Sequence, residues 1–324
     1  MCLYPKLIFN PKYKRNNKKK GIIPEIKDPR VLWVPIGCKK CIECRKQKSN
    51  EWRVRLLEEI KTDKKGKFIT FTIKPEIINK YYVDLKNYYG YEKDNIIASK
   101  LVRKFLENWR KTEKKSVKHW LITELGHGET EHLHIHGIIF SNKSELIKSK
   151  WIYGISWIGN YCNESTINYI IKYVTKSDEM HKNYTPKIFT SPGIGKNYIN
   201  TFNSQTNKFN ETDTNESYKT NYGAKINLPI YYRNKIYTED EREKLWIQKL
   251  NKETRYVLGE KIDVSNKEGQ NKYMRKLKAA QNLNTLLGYS NNEFEQKRQE
   301  NYNRHCKQLT NLTKQSSVIN KGKK

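Results

Sequence analysis

No apolar run in this 324-residue chain approaches the roughly 20 residues needed to cross a bilayer. The opening "MCLYPKLIFNPKYKRNNKKK" has no apolar core followed by a cleavage site. The chain is therefore read as soluble, with no membrane partner and no secretion by that route. Acidic residues are also scarce, with 34 Asp+Glu against 64 Lys+Arg and a formal net charge of +30. Such a surplus points to a polyanionic partner, nucleic acid first. There is no internal repeat and no Walker A loop. The nearest stretch, "SPGIGKNY", has Gly195-Lys196 but lacks the upstream glycine and the following Ser or Thr, so no ATPase motor is implied.

Cysteine is sparse and unevenly placed: Cys2, then Cys38, Cys41 and Cys44, then Cys162 and Cys306. Disulfides are not expected in an intracellular protein. The spacing in "IGCKKCIECRKQ", with Cys2 as a fourth thiolate, suits a structural zinc ion or an iron–sulfur cluster, although no second CxxC pair completes a standard zinc module. Three reduced cysteines in a basic loop are the plainer alternative.

The chain has only seven histidines, and three of them alternate in "EHLHIHGIIF". On a β-strand, His132, His134 and His136 share one face while Leu133 and Ile135 share the other. Two of these imidazoles with a nearby carboxylate could hold a divalent metal for phosphodiester chemistry. All three could instead form a triad in which one imidazole attacks phosphate without a metal. A polar strand face without chemistry is the third reading.

The first part is loop-like, broken by Pro5, Pro11, Pro24, Pro29 and Pro35, and carries a basic run from Lys12 to Lys20. Lys18, Lys19 and Lys20 in that run are candidate DNA contacts. "SNEWRVRLLEEI" spaces Trp52, Leu56 and Ile60 as a helix, with Ser49 or Asn50 as its N-cap. "KFITFTI" reads as a strand ended by Pro75, and residues 94–111 as an amphipathic helix. "KHWLITEL" is a strand joined to the histidine strand by a hairpin, which brings Glu124 towards the histidine face. "WIYGISWIGN" is a further short strand.

In "NESTINYIIKYVTK", Ile167, Ile170, Ile171 and Val174 fall on one helical face and Tyr169, Lys172, Tyr173 and Lys176 on the opposite one. The two tyrosines are thus expected to be presented rather than packed, one turn apart with a lysine between them. A tyrosine hydroxyl is a weak nucleophile at neutral pH, and a metal ion would supply charge and alignment for its attack on a phosphodiester. Lys176 is a further candidate DNA contact. The Asn/Thr-rich residues 203–221 read as a long mobile loop. Thr238 and Glu241 then stand at capping-box spacing before a mostly helical, basic C-terminal region. The expected domains are a basic, Cys-containing segment over 1–46, a catalytic domain over 47–200, a mobile polar loop over 201–222 and the C-terminal region over 223–324.

His134-Ile135-His136-Gly137 resembles the His-hydrophobic-His motif of HUH endonucleases, "FITFTI" their first strand motif and "YIIKYVTK" the Tyr-x-x-Lys-Tyr motif of the two-tyrosine class. With "MCLYPKLIFNPKYK", "VPIGCKKCIECRKQKSNEWRVRL" and "SPGIGKNY", the set closely resembles the replication initiators of gokushoviruses (Microviridae), from Met1 to about Tyr198 and more weakly through "LPIYYRNKIYTEDE". The resemblance implies an α+β fold with an RRM/ferredoxin-like antiparallel sheet flanked by helices and a mostly helical basic C-terminal extension. It implies rolling-circle replication, in which a tyrosine nicks the origin strand, keeps the 5′ end as a phosphotyrosine and frees a 3′-OH. By position, His134 and His136 match the metal histidines, Tyr169 and Tyr173 the nucleophiles, Lys172 the lysine between them and Glu124 the acidic ligand for Mg2+ or Mn2+. The family usually has no histidine at His132, which could replace Glu124 as a ligand, contact DNA or do nothing. The implied partners are single-stranded origin DNA, replicative-form DNA, a host helicase and a host DNA polymerase, in the host bacterial cytoplasm. A histidine-triad nucleotide hydrolase and a non-catalytic single-stranded DNA-binding protein are the alternatives. Metal dependence separates the first from a nickase, and a covalent adduct separates the second.

Overall fold

The computed structural model describes residues 1–15, 17, 21–85, 88, 90–126, 131–177 and 181–289. In chain order, β1 (Lys6–Phe9) and β2 (Trp33–Ile36) precede α1 (Ile42–Thr62) and β3 (Gly66–Thr72). Next come α2 (Pro75–Val83), α3 (Glu92–Glu113), β4 (Lys118–Leu125) and β5 (Leu133–Phe140). These are followed by α4 (Ser144–Lys150), β6 (Ser156–Ile158), α5 (Glu164–Thr175) and β7 (Ile188–Thr190). The remainder holds α6 (Phe202–Gln205), β8 (Ser217–Lys219), β9 (Lys225–Asn227), α7 (Ile230–Ile236), α8 (Glu239–Asn251), β10 (Thr254–Val257), β11 (Glu260–Asp263) and α9 (Lys267–Leu286).

The protein is α+β, with a five-stranded antiparallel sheet in the order β6-β3-β5-β4-β7 and helices flanking it. The period-2 pattern of β3, β4 and β5 sends Ile69, Phe71, Leu121, Leu125, Leu133, Ile135 and Ile139 to one face. There they bury against Ile97, Leu101, Phe105 and Trp109 of α3 and Ile147 of α4. Those α3 positions recur at helical spacing, so one stripe of the helix fills the core. The opposite face of the sheet carries Phe68, Thr70, Glu124, His134 and His136. Gly137, directly after His136, fits this packing because a Cβ there would lie 2.1 Å from the Trp120 carbonyl oxygen. Any larger residue would push β4 away from β5 next to the histidines.

This sheet unit spans Glu59–Ile194, and a second unit is formed by Met1–Glu58 with Gly195–Asn291. The boundaries thus fall at 58/59 and 194/195, where the sequence reading placed 46/47 and 200/201. In the second unit, β1 pairs with β2, β8 with β9 and β10 with β11, each antiparallel. Tyr198, Tyr218, Tyr232 and Tyr237 bury with Val54, Leu228 and Leu245 in one cluster.

Two expectations change here. Helix α1 begins at Ile42, so Ser49 and Asn50 lie inside it rather than at its cap. Its start is met by a distant side chain: Asn284 Oδ1 accepts from the Ile42 N–H at 2.9 Å, a satisfaction of an orphan donor that no local motif announces. Residues 201–222, expected as a mobile loop, contain α6 and β8. Asn207 is fully buried there, donates to the carbonyls of Asn215 and Ser217 at 2.7 and 2.9 Å, and accepts from the Tyr198 hydroxyl. The polar side chains fold the stretch by hydrogen bonding to it.

Candidate active site

Helix α5 is set by a capping box at its start, where Asn163 Oδ1 accepts from the Thr166 N–H at 2.9 Å and Thr166 Oγ1 from the Asn163 N–H at 3.3 Å. Ile167, Ile170, Ile171 and Val174 are buried, as the helical wheel requires. The opposite stripe is not uniformly presented. Tyr169 is 47% exposed, whereas Tyr173 is only 5% exposed, because its ring lies flat on His136 with centroids 4.5 Å apart and planes 4° from parallel. The wheel separates the two faces of α5 correctly, yet the tyrosine face covers the histidine face of the sheet.

The Tyr173 hydroxyl donates to the Tyr169 oxygen at 2.9 Å. Burial, the hydrogen bond with Tyr169 and the nearby Glu124 charge all push the Tyr173 phenol above its usual range. Lys172 stands with Nζ 3.8 Å from the Tyr169 ring centroid and 5.6 Å from that of Tyr173. A cation so placed favours negative charge on either phenol.

Beneath the tyrosines, the β4–β5 register sets Glu124 opposite His134, and the β3–β5 register sets Thr70 opposite His136. His136 Nε2 lies 2.6 Å from Glu124 Oε2, and its Nδ1 lies 3.0 Å from Thr70 Oγ1. A carboxylate can only accept, so Nε2 carries the proton and, in the neutral ring, Nδ1 accepts from the Thr70 hydroxyl. Glu124 also takes an ion pair from Lys176 through Oε1. Burial alone would raise the Glu124 carboxyl; the hydrogen bonds from His136 and Lys176 outweigh it and hold the group at about 2. Burial, then the neighbouring His136 charge, pushes His134 below the usual histidine range. The set therefore offers an ionised carboxylate and a neutral imidazole, the protonation states a metal requires, and two imidazoles with a carboxylate suit Mg2+ or Mn2+. The donors fit that role chemically, although they do not draw as close together as the cysteine sulfurs described below.

His132 precedes β5, is half-buried, and offers its carbonyl to the Gly126 N–H at 2.8 Å. Its charge adds to the pressure against protonating His134, while the Glu124 contacts go to His136 and Lys176. Lys176, read as a DNA contact, is thus an ion-pair partner inside the site. Lys18, Lys19 and Lys20 lie outside the described residues.

Three contributors escaped the sequence reading. Thr70 orients His136. Phe68 packs edge-on to Tyr169 at 5.9 Å and to Trp157 at 5.5 Å, and Trp157 is 56% exposed on the edge strand β6. The alternation of "FITFTI" places Phe68 and Thr70 on one face, but only the non-local pairing of β3 with β5 and β6 shows which neighbours they meet.

The four cysteines lie in the second unit. Among the described residues they are the one group of three or more His, Cys, Asp or Glu whose donor atoms all lie within 4.8 Å of one another, a cluster that could bind a metal such as zinc. Among the described residues no helix is long and apolar enough to cross a membrane.

Residues 66–178 match a family model for replication-associated proteins of the ORF2 type. The matched span contains every sheet-unit residue placed in the site above, from Phe68 to Lys176, and supports a role in DNA replication with DNA as partner. Searches of curated proteins and of solved structures returned no match.

Proposed function

We propose that the protein initiates rolling-circle replication by nicking an origin strand with a tyrosine, and that Tyr169 acts first and Tyr173 second. The observation that carries this reading is the seating of Tyr173 on His136 with its hydroxyl bonded to the exposed Tyr169 oxygen. A nucleophile pair and a metal-type donor set thereby share one surface.

The Tyr169 oxygen forms a bond to phosphorus as the bond from phosphorus to the 3′ oxygen breaks. The phenol loses its proton, the 3′ oxygen gains one, and the products are a 5′-phosphotyrosine and a free 3′-OH. Tyr173 donates into the attacking oxygen and Lys172 lies over its ring, so both stabilise the charge that builds there. His134, His136 and Glu124 would hold Mg2+ or Mn2+, which when bound draws charge from the phosphate oxygens. Tyr173, buried and kept protonated, does not compete in the first attack. Once Tyr169 is esterified, Tyr173 is one helical turn away to cleave the next origin and allow rejoining of the displaced strand. Trp157 and Phe68 present aromatic faces on which a flanking base stacks. Strand separation and extension fall to a host helicase and polymerase in the bacterial cytoplasm.

The test uses labelled single-stranded fragments tiled across the replicon that encodes the chain, incubated with Mn2+ or EDTA and run on a denaturing gel. Metal-dependent labelled adduct is expected. Tyr169→Phe reduces the first adduct to background, whereas Tyr173→Phe slows it by about fivefold, the worth of about 1 kcal/mol of hydrogen bonding, and abolishes transfer to a second strand. Tight binding without adduct on any fragment would leave a passive single-stranded DNA binder. An adduct undiminished by Tyr169→Phe would reverse the order of the tyrosines.

A further inference from the structure

We propose that Cys2, Cys38, Cys41 and Cys44 hold one zinc ion in a closed tetrathiolate site that clamps the N-terminal segment to the start of α1. This inference is independent of the nickase reading. The Cys2 and Cys41 sulfurs lie 3.9 Å apart, and so do those of Cys38 and Cys44. A disulfide needs about 2 Å, so neither pair is bonded. Sulfurs at tetrahedral positions around one ion, each about 2.3 Å from it, are separated by about 3.8 Å. In a four-iron cluster each cysteine takes its own iron, which spreads the sulfurs further than a shared ion allows.

The backbone around the sulfurs is arranged to receive charge. The N–H groups of Tyr4 and Cys38 donate to Cys2 Sγ at 3.3 and 3.2 Å, and the Cys41 N–H donates to Cys38 Sγ at 3.3 Å. Lys39, with φ of 66°, turns the chain between Cys38 and Cys41 so that both sulfurs face inward. Thiolates packed this closely repel one another, and a divalent cation at their centre removes that repulsion. With four protein ligands no coordination position is open to substrate, which makes the site structural rather than catalytic.

The surrounding packing shows what the ion holds together. Cys41 buries with only Leu3, Val257, Ile262 and Ala280. Gln281 of α9 donates to the Leu3 carbonyl at 2.9 Å, and Asn284 of the same helix takes the Ile42 N–H. So small a cluster orders little chain by burial alone, and a metal cross-link supplies what it lacks.

The experiment is metal analysis of the full chain, purified with a C-terminal tag and gel-filtered in mild EDTA, which also strips weakly held ions from the histidine site. About one zinc per chain is expected, released in step with mercurial titration of four thiols. Cobalt exchange should give the intense thiolate charge-transfer absorption of a tetrahedral sulfur site. Cys2→Ser should bring zinc close to zero, and Cys162→Ser should leave it unchanged. If Cys2→Ser is insoluble, mercurial release from the unmodified chain decides. Zinc far below stoichiometric, with the four thiols freely titratable in the native protein and no cobalt spectrum, overturns the proposal. Iron with acid-labile sulfide overturns it in favour of a cluster.

Discussion

The two units use aromatic residues in opposite ways. In the unit built from the chain's ends, Tyr198, Tyr218 and Tyr232 are almost wholly buried, and each hydroxyl is satisfied, by Asn207, Glu58 and the Gly195 carbonyl respectively. In the sheet unit the core is filled by aliphatic side chains with Phe71, Phe105 and Trp151, while Trp157 and Tyr169 remain about half exposed. A buried tyrosine with a partnered hydroxyl is explained by folding. An exposed aromatic beside a core that is already full adds nothing to folding, so its place is accounted for by what it meets from outside.

The largest effect that would sharpen this contrast is Phe71→Ala. Phe71 is fully buried, stacked on Trp151 at 4.3 Å and edge-on to Phe105 at 5.4 Å. Its truncation should cost about 3–5 kcal/mol through lost burial and a cavity. Hydrogen exchange followed by mass spectrometry should show lost protection in β3, β4 and β5, with the segments around the cysteines much less affected. Equal loss in both would mean that the sheet core is not a separate source of stability.

A smaller and different effect is expected from Trp157→Ala. The side chain is exposed, so stability should hardly change, whereas affinity for single-stranded DNA should fall by about 1–3 kcal/mol, roughly 5- to 150-fold. Fluorescence anisotropy at one fixed salt concentration measures it, since the protein's charge makes any comparison across salts uninterpretable. An unchanged affinity would return Trp157 to the ordinary exposed surface and break the contrast between the units.

What could be read from the sequence follows from how local each determinant is. The α5 and α8 starts were legible because Asn163 and Thr238 cap their own helices within three residues. The approach of Glu124 to the histidine strand was legible because a hairpin couples neighbouring strands. The start of α1 was not, since its cap is Asn284, 242 residues away. The folding of 201–222 depends on Asn207 being buried, which composition cannot show. The burial of Tyr173 was hidden for a related reason: a helical wheel sorts residues into faces but does not say which face another element will cover. Thr70 and Trp157 meet the site only through strand pairing across the sheet, and no local pattern carries that.

The smallest effect concerns acid. His119 is 8% exposed on β4, with Nδ1 2.9 Å from the Val117 carbonyl and 3.1 Å from Ser191 Oγ. Burial pushes its pKa below the usual 6.5, and the bond to Val117 only partly offsets this. The folded ring therefore stays neutral at a pH where the unfolded ring takes up a proton. Because the unfolded state then binds more protons, stability is level above about 6.5 and falls as pH drops below it towards the folded value. One proton sets the steepest slope at about 1.4 kcal/mol per pH unit. The cysteine site also weakens in acid, because its thiolates must give up metal to bind protons, so a falling melting temperature alone does not distinguish the units. His119→Gln does, since it removes the titration while leaving the thiols in place. Exchange protection of β4 between pH 7 and pH 5 should lose its slope in that variant, while the segments around Cys2 and Cys38 keep theirs. If β4 keeps the same slope without His119, its acid sensitivity belongs to another group in the sheet unit.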